Sequence, residues 1–91
     1  MIDIYLLNKK INDLEHQIIP QDIYSTTIHR GRIDALYWLK HSNEIIRTDK
    51  DIENKILRYK EEMLCLDKGD MWYHEKSARI EELESILGNE K

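Results

Sequence analysis

Apolar residues recur along the first part of the chain at alternating steps of three and four. The set is Ile4, Leu7, Ile11, Leu14 and Ile18. This spacing places their side chains on one side of an α-helix, and mostly polar residues fill the other side. The pattern predicts a first helix over residues 3–19. Pro20 then interrupts the helix, because proline lacks an amide hydrogen, and it fits best as the first residue of a second helix.

The second apolar stripe has a new phase and runs for about 25 residues. It comprises Tyr24, Ile28, Gly31, Ala35, Trp38, Leu39, Ser42, Ile45 and Ile46. The spacing predicts a second helix over residues 21–46, roughly 39 Å long at a rise of 1.5 Å per residue. A glycine inside a helix costs about 1 kcal/mol relative to alanine. We therefore expect a neighbouring backbone to approach closely at Gly31 and Ala35, with a kink or break at Gly31 as the alternative.

Two further stripes follow after polar connections. Their members are Ile52, Ile56, Tyr59, Met63 and Leu66, then Tyr73, Lys76, Ile80, Leu83 and Leu87. They predict a third helix over residues 49–66 and a fourth over residues 71–87. Thr48 or Asp49 is expected to cap the third helix and Asp70 the fourth. Gly69 is expected to take the left-handed conformation that closes a helix, and Gly88 to end the last one.

The four predicted helices define an all-α fold with short connections. Short connections favour antiparallel neighbours, so the sequence predicts antiparallel helical hairpins that form a four-helix, coiled-coil-like bundle in one domain over residues 1–91. The apolar stripes are narrow, which suits coiled-coil packing better than a wide globular core. Narrow stripes in a chain of 91 residues also favour self-association, and we expect a homodimer or higher homo-oligomer.

Composition narrows the classes of function. The formal net charge is −4, whereas nucleic-acid-binding domains usually present a basic face. No apolar run is long enough to span a membrane, no secretory leader is evident, and the single Cys65 cannot form an internal disulfide. We therefore expect a cytoplasmic protein. Frequent isoleucine, lysine and asparagine with no valine hint at an AT-rich genome, such as that of a phage or mobile element.

No pattern in the chain indicates catalysis or a cofactor. The histidines at 16, 29, 41 and 74 do not share the spacing of a metal site on a helix. The carboxylate pairs at Glu61–Glu62 and Glu81–Glu82 fall at positions that should face solvent, where no pKa would be tuned for acid–base work. We expect neither an enzyme, nor a cofactor or metal, nor a small-molecule substrate.

Residues 28–42 hold the densest set of basic and aromatic side chains. On the predicted helix, His29, Arg32 and Lys40 lie on one flank, and Arg30, Asp34, Tyr37 and His41 on the other. Arg30 and Asp34 are spaced as an ion pair. Such a flank is either an ordinary solvated face or a partner-binding face, and Trp38 at its edge fits the core or an interface equally. The candidate partner-binding residues, with a second aromatic cluster added, are Arg30, Arg32, Tyr37, Trp38, His41, Trp72 and Tyr73.

Three functions are consistent with this pattern. The first is a small non-enzymatic protein–protein interaction module, such as an inhibitor or adaptor from a phage or mobile element that docks sterically on a host protein. The second is a small nucleic-acid-associated regulator that uses His29, Arg30, Arg32 and Lys40, which the acidic net charge makes the weaker candidate. The third is a self-assembling coiled-coil structural protein.

Overall fold

The computed structural model describes residues 3–42 and 45–88 of the chain. Within these residues the chain forms four α-helices: α1 (Ile4–Glu15), α2 (Ile23–Leu39), α3 (Asp49–Met63) and α4 (Met71–Gly88). They pack into a body of 36 × 30 × 24 Å. The predicted all-α bundle is confirmed. No helix in the described ranges is both long and apolar enough to cross a lipid bilayer.

Side-chain oxygens cap the helix starts. Asp22 accepts the amide hydrogen of Ser25 at 2.7 Å, and Thr48 that of Asp51 at 3.2 Å. Asp70 accepts the amide hydrogen of Trp72 at 2.7 Å. Each bond satisfies an amide that the first turn of a helix leaves without a backbone partner. The predicted caps at Thr48 and Asp70 are confirmed, whereas α2 begins after Asp22 and not at Pro20.

The second helix ends at Leu39, and its predicted extension to residue 46 is wrong. Lys40 is extended and pairs with Ile46 in an isolated antiparallel bridge. The amide of Arg47 donates to the carbonyl of Leu39 at 2.9 Å, and the Arg47 side chain donates through Nε to the carbonyl of Trp38 at 2.6 Å. The returning chain thus satisfies carbonyls that the helix end leaves open. Ile46 packs against the core from this extended segment.

Two other predicted helix ends differ from the structure. α1 stops at Glu15, so Ile18 is almost fully exposed at 96%, and α3 stops at Met63, before Leu66. Gly69 does not adopt a positive φ, so its predicted left-handed closure of α3 is wrong. Successive turns join the two helices there instead, with the amide of Leu66 donating to the carbonyl of Met63 at 3.0 Å and that of Asp70 to Asp67 at 2.9 Å.

The central contact of the bundle joins α2 and α4. Tyr24 meets His74 near the start of both helices, and Asp34 meets Arg79 further along each, so the two helices run in the same general direction. α1 packs on α2 and α3 packs on α4. The bond from Arg79 to Tyr59 and the ion pair between Lys76 and Glu62 show that α3 and α4 are antiparallel, as the short connection predicts.

All four helices contribute to the core. The fully buried large side chains are Leu7, Leu36, Leu39, Ile52, Leu83 and Ile86. Trp38 and Ile46 are partly buried and pack against this cluster. Burial of such apolar surface is the main free-energy gain on folding. The core therefore fixes which flanks of α2 and α4 remain on the surface.

Candidate functional site

The structure separates the seven candidate partner-binding residues. Arg30 and Trp72 line one groove between α2 and α4. The other five are Arg32, Tyr37, Trp38, His41 and Tyr73, and none of them lines that groove. His41 lies beyond the end of α2 and is exposed, while Tyr73 is partly buried against the ring of His74. The seven side chains therefore do not form one surface.

The groove, called here the Trp72 groove, has a volume of about 500 Å³ and two helical walls. Steps of three and four place the lining residues of each helix on one face. From α2 and the segment before it come Gln21, Ile23, Thr26, Thr27, Arg30 and Asp34, and from α4 come Trp72, Glu75 and Arg79. One end of the groove lies at the starts of α2 and α4, which are capped by Asp22 and Asp70.

Two large apolar side chains at that end remain in contact with solvent. Trp72 is 51% exposed and Ile23 is 76% exposed. Arg30 lies one to two turns further along α2 and is also exposed. No carboxylate forms an ion pair with Arg30 among residues 3–42 and 45–88, because the predicted partner Asp34 pairs with Arg79 instead, at 3.5 Å. The groove thus presents an indole, an aliphatic side chain and a guanidinium that forms no ion pair within these residues, with Asp34 four residues further along α2 in the same lining.

A buried ion pair forms the floor of the Trp72 groove. Glu75 is only 5% exposed, and its Oε1 accepts a hydrogen bond from Nε of Arg79 at 2.9 Å. The same guanidinium donates to the hydroxyl of Tyr59 at 3.3 Å. Burial opposes the charged form of Arg79, but the bonds to Glu75 and Tyr59 outweigh it and raise the pKa of Arg79 above its ordinary value. The charges of Glu75 and Arg79 therefore neutralise each other, and their bonds hold both side chains in place.

Gly31 makes room for this floor. A Cβ at position 31 would lie 2.8 Å from Cγ of Glu75 and 3.0 Å from its Cδ. The expected close approach at Gly31 is present, but the neighbour is a side chain and not a backbone. α2 is helical on both sides of the glycine, so the alternative of a break there is wrong. The sequence offered one signal for this floor, the i, i+4 spacing of Glu75 and Arg79.

Two of the other candidate partner-binding residues, Arg32 and Tyr37, form bonds within the molecule. Arg32 donates to Glu82 at 3.1 Å and to Glu81 at 3.0 Å, which clamps α2 to α4. The hydroxyl of Tyr37 donates to Glu15 at 2.9 Å, and this bond raises the pKa of the Tyr37 phenol above its ordinary value. Both side chains therefore stabilise helix packing, and sequence reasoning did not identify any of the three acidic partners.

Trp38 stands beside a second groove, at the opposite end of α2. The guanidinium of Arg47 lies 4.7 Å from the centre of its ring, and Nζ of Lys55 lies 5.3 Å from it. Cations over an aromatic face are held by the negative charge of the ring's π system. Sequence reasoning missed both cations, because the predicted long helix two placed Arg47 at its end and far from the Trp38 ring.

Three of the four histidines make separate contacts within the molecule. Nε2 of His29 bonds to the carbonyl oxygen of Leu14 at 2.7 Å, so that nitrogen carries a hydrogen. The His16 ring bonds to the carbonyl of Asn12 at 2.8 Å, and His74 stacks at an angle on Tyr24. In the described part of the chain, no group of three or more His, Cys, Asp or Glu side chains is arranged to hold a metal ion.

Comparison with protein-family models, with curated proteins and with solved structures finds no match to this chain. The chemistry of the two grooves is therefore the basis for assigning a function. The Trp72 groove combines exposed apolar surface with an arginine that forms no ion pair in the described residues, and three cations line the groove at Trp38. Both arrangements suit binding.

Proposed function

We propose that this protein is a small non-enzymatic protein–protein interaction module that docks through the Trp72 groove. The observation that carries this proposal is the exposure of Trp72 and Ile23 beside Arg30, whose guanidinium forms no ion pair in the described residues. Tryptophan and arginine are the residue types most enriched among the side chains that dominate binding energy at interfaces. Exposed apolar surface is unfavourable in water, so an indole and an isoleucine in one exposed groove favour a protein partner that covers them.

The chemistry of the groove defines the complementary partner surface. Trp72 and Ile23 would pack against an apolar side chain of the partner, and Arg30 would form an ion pair with a carboxylate next to it. The ion pair between Glu75 and Arg79 keeps the floor fixed, so that little ordering cost opposes binding. The mechanism is steric, because the rigid faces of α2 and α4 would cover a functional surface of the target.

This mode of action fits an inhibitor or adaptor that acts on a host protein. An AT-rich codon bias, indicated by frequent isoleucine and absent valine, favours a phage or mobile element as its source. We place the protein in the cytoplasm, since the exposed Cys65 thiol suits a reducing compartment.

The experiment compares immobilised wild type with two aromatic variants. Tyr5 in α1 is the matched control, because it is 75% exposed and does not line the Trp72 groove. Immobilised Trp72→Ala should fail to capture a host protein that both wild type and Tyr5→Ala capture. The helical circular dichroism of all three proteins should be equal. Arg30→Ala should weaken capture of the same protein by about tenfold or more, as expected for loss of one charge-assisted contact. Equal retention by wild type and Trp72→Ala would contradict docking through this groove.

Self-assembly is the second function that an observation favours. Several large apolar side chains outside the groove are exposed, among them Leu57 on α3 and Leu64 directly after its end. Light scattering at tens of micromolar separates the two functions, since a homodimer through α3 would persist in Trp72→Ala and dissociate in Leu57→Ser/Leu64→Ser. The nucleic-acid function has less support, because Arg32 is bound to two carboxylates and His29 to a backbone carbonyl.

A further inference from the structure

Three cations line the groove beside Trp38, at the junction of the α2 end with α3. The groove has a volume of about 250 Å³, and its cations are Arg47, Lys55 and Arg58. Trp38, Asn54 and a single carboxylate, Asp51, complete the lining. The lining thus carries an excess of two positive charges, in a protein whose net charge is −4.

The three cations have no carboxylate partner within the described residues. Elsewhere in the same ranges, Arg32 and Arg79 each pair with two carboxylates, so acidic partners are not scarce. Arg47 and Lys55 are held instead by aromatic rings and a backbone carbonyl. Nζ of Lys55 lies 5.3 Å from the ring of Trp38 and 5.2 Å from that of Tyr59. A neutral aromatic ring orders a cation without cancelling its charge, so the positive potential of the groove is kept.

We propose that this groove is a binding site for a dianionic phosphate group. A phosphate monoester carries close to two negative charges at neutral pH, which equals the excess charge of the lining. It also presents three oxygens, one for each cation, whereas a carboxylate presents only two. Because Arg47 and Lys55 already lie over the Trp38 ring, the site would bind the phosphate without stacking a base on that ring. This site is separate from the Trp72 groove and does not rest on the proposed protein docking.

The two tryptophans provide a direct test by NMR. Trp38 lies in the cationic groove and Trp72 in the other groove, so their indole N–H signals report on the two surfaces separately. Titration with inorganic phosphate at low ionic strength should shift the Trp38 signal to saturation and leave the Trp72 signal in place. Absence of a saturable shift at Trp38 up to tens of millimolar phosphate would overturn the proposal.

Charge-matched variants separate a site from a general charge effect. Lys55→Gln/Arg58→Gln should weaken phosphate binding by about tenfold or more. Lys60→Gln/Lys68→Gln removes the same charge from a different surface and should change binding by less than about twofold. Arg58 is exposed, so Arg58→Gln alone keeps the test valid if the double variant loses helical circular dichroism. Equal weakening by both double variants would contradict a localised site.

A third arm identifies the source of the phosphate. A single-stranded oligonucleotide with a 5′-phosphate should shift the Trp38 signal more than the same strand with a 5′-hydroxyl if the ligand is a nucleic-acid end. Binding of inorganic phosphate with no gain from the strand would indicate a free phosphate or a small phosphorylated molecule. Equal binding of both strands would overturn the assignment to a dianionic group, since only phosphodiesters would then be recognised.

Discussion

Gly31 of α2 and Glu75 of α4 share one small space, in which a methyl group and the carboxylate stem cannot both fit. A Cβ at position 31 would lie 2.8 Å from Cγ of Glu75, which is shorter than the non-bonded distances that Cβ atoms show in protein structures. Glu75 cannot easily withdraw, because it is buried and bonded to Arg79. This relationship gives a reason for a glycine in the middle of a helix, where glycine costs about 1 kcal/mol.

The first prediction is that Gly31→Ala destabilises the protein even though alanine favours helix formation. The added methyl group must displace Glu75 or separate α2 from α4, and overpacking of this kind costs about 1–3 kcal/mol. Urea denaturation followed by circular dichroism measures the free energy of unfolding. Gly69→Ala is the control and should change that free energy by less than about 0.5 kcal/mol, since nothing lies within 4 Å of the added methyl group.

A double variant tests the cause of this loss. Glu75→Ala removes the side chain that the methyl group at 31 would strike, so Gly31→Ala should cost much less in the Glu75→Ala background. Additive losses of the two substitutions would show that the contact between positions 31 and 75 is not the source of the destabilisation.

The second prediction contrasts the two tryptophans. Trp38→Ala should lower the free energy of unfolding by roughly 2–4 kcal/mol, because Trp38 packs against the core. Trp72→Ala should lower it by less than about 1 kcal/mol, because half of that side chain is in water. Denaturation curves of the two variants under one set of conditions make the comparison. A similar large loss in both would identify Trp72 as a core residue and remove it from the proposed interface.

The third prediction concerns the clamp between Arg32 and α4. Arg32→Ala should destabilise by about 1–2 kcal/mol, because it removes a partner from Glu82, whose side chain is only 12% exposed. Glu81→Ala should cost about 0.5 kcal/mol or less, since Glu81 is well exposed and the Arg32–Glu81 pair is screened by water. High salt should remove a larger fraction of the cost of Glu81→Ala than of the cost of Arg32→Ala, because the Glu82 pair is largely buried. Equal costs would show that Glu82 gains nothing from Arg32.

The fourth prediction is a pH dependence at the start of α2. Bonds from the Ser25 amide and hydroxyl hold the pKa of the Asp22 carboxyl below its ordinary value of 3.8. A carboxyl with a lowered folded-state pKa stabilises the fold above the unfolded-state value, and this stabilisation is lost as the pH falls through the folded-state pKa. The melting temperature of wild type should therefore fall more steeply below about pH 4 than that of Asp22→Asn. The asparagine still caps the helix but does not titrate. Parallel pH profiles would contradict this role.

All four helices followed from apolar spacing, but the ends of α1, α2 and α3 did not, and the end of α2 lies furthest from its prediction. Ile45 and Ile46 continue the helical spacing beyond Leu39, yet Lys40 is extended and Ile46 lies in a returning segment. Periodicity alone cannot distinguish these cases, because an apolar residue in an extended segment can also pack against the core. The bond from Arg47 to the Trp38 carbonyl decides between them, and it is a contact between residues nine positions apart.

The Trp72 groove was only partly predictable for a related reason. Arg30 and Trp72 were chosen by residue type, and the structure brings them together. The groove floor was missed because a spacing argument assigns charged residues to the solvent side, whereas Glu75 is buried. α4 packs against both α2 and α3, so it buries a broader face than one apolar stripe, including Ala78 and Ile86. Which helices lie next to each other is tertiary information that the spacing within one helix does not contain.

The order of the helices also bears on how the chain reaches this structure. The central contact joins the second and the fourth helix, so neither sequential helix pair, α1 with α2 or α3 with α4, contains it. Closing the intervening loop costs chain entropy before the Gly31–Glu75 packing and the Arg32 clamp can form. The docking of the two helix pairs should therefore be the slow, cooperative step of folding. Two fragments, one with α1 and α2 and the other with α3 and α4, should remain largely unstructured alone and regain helical structure when mixed.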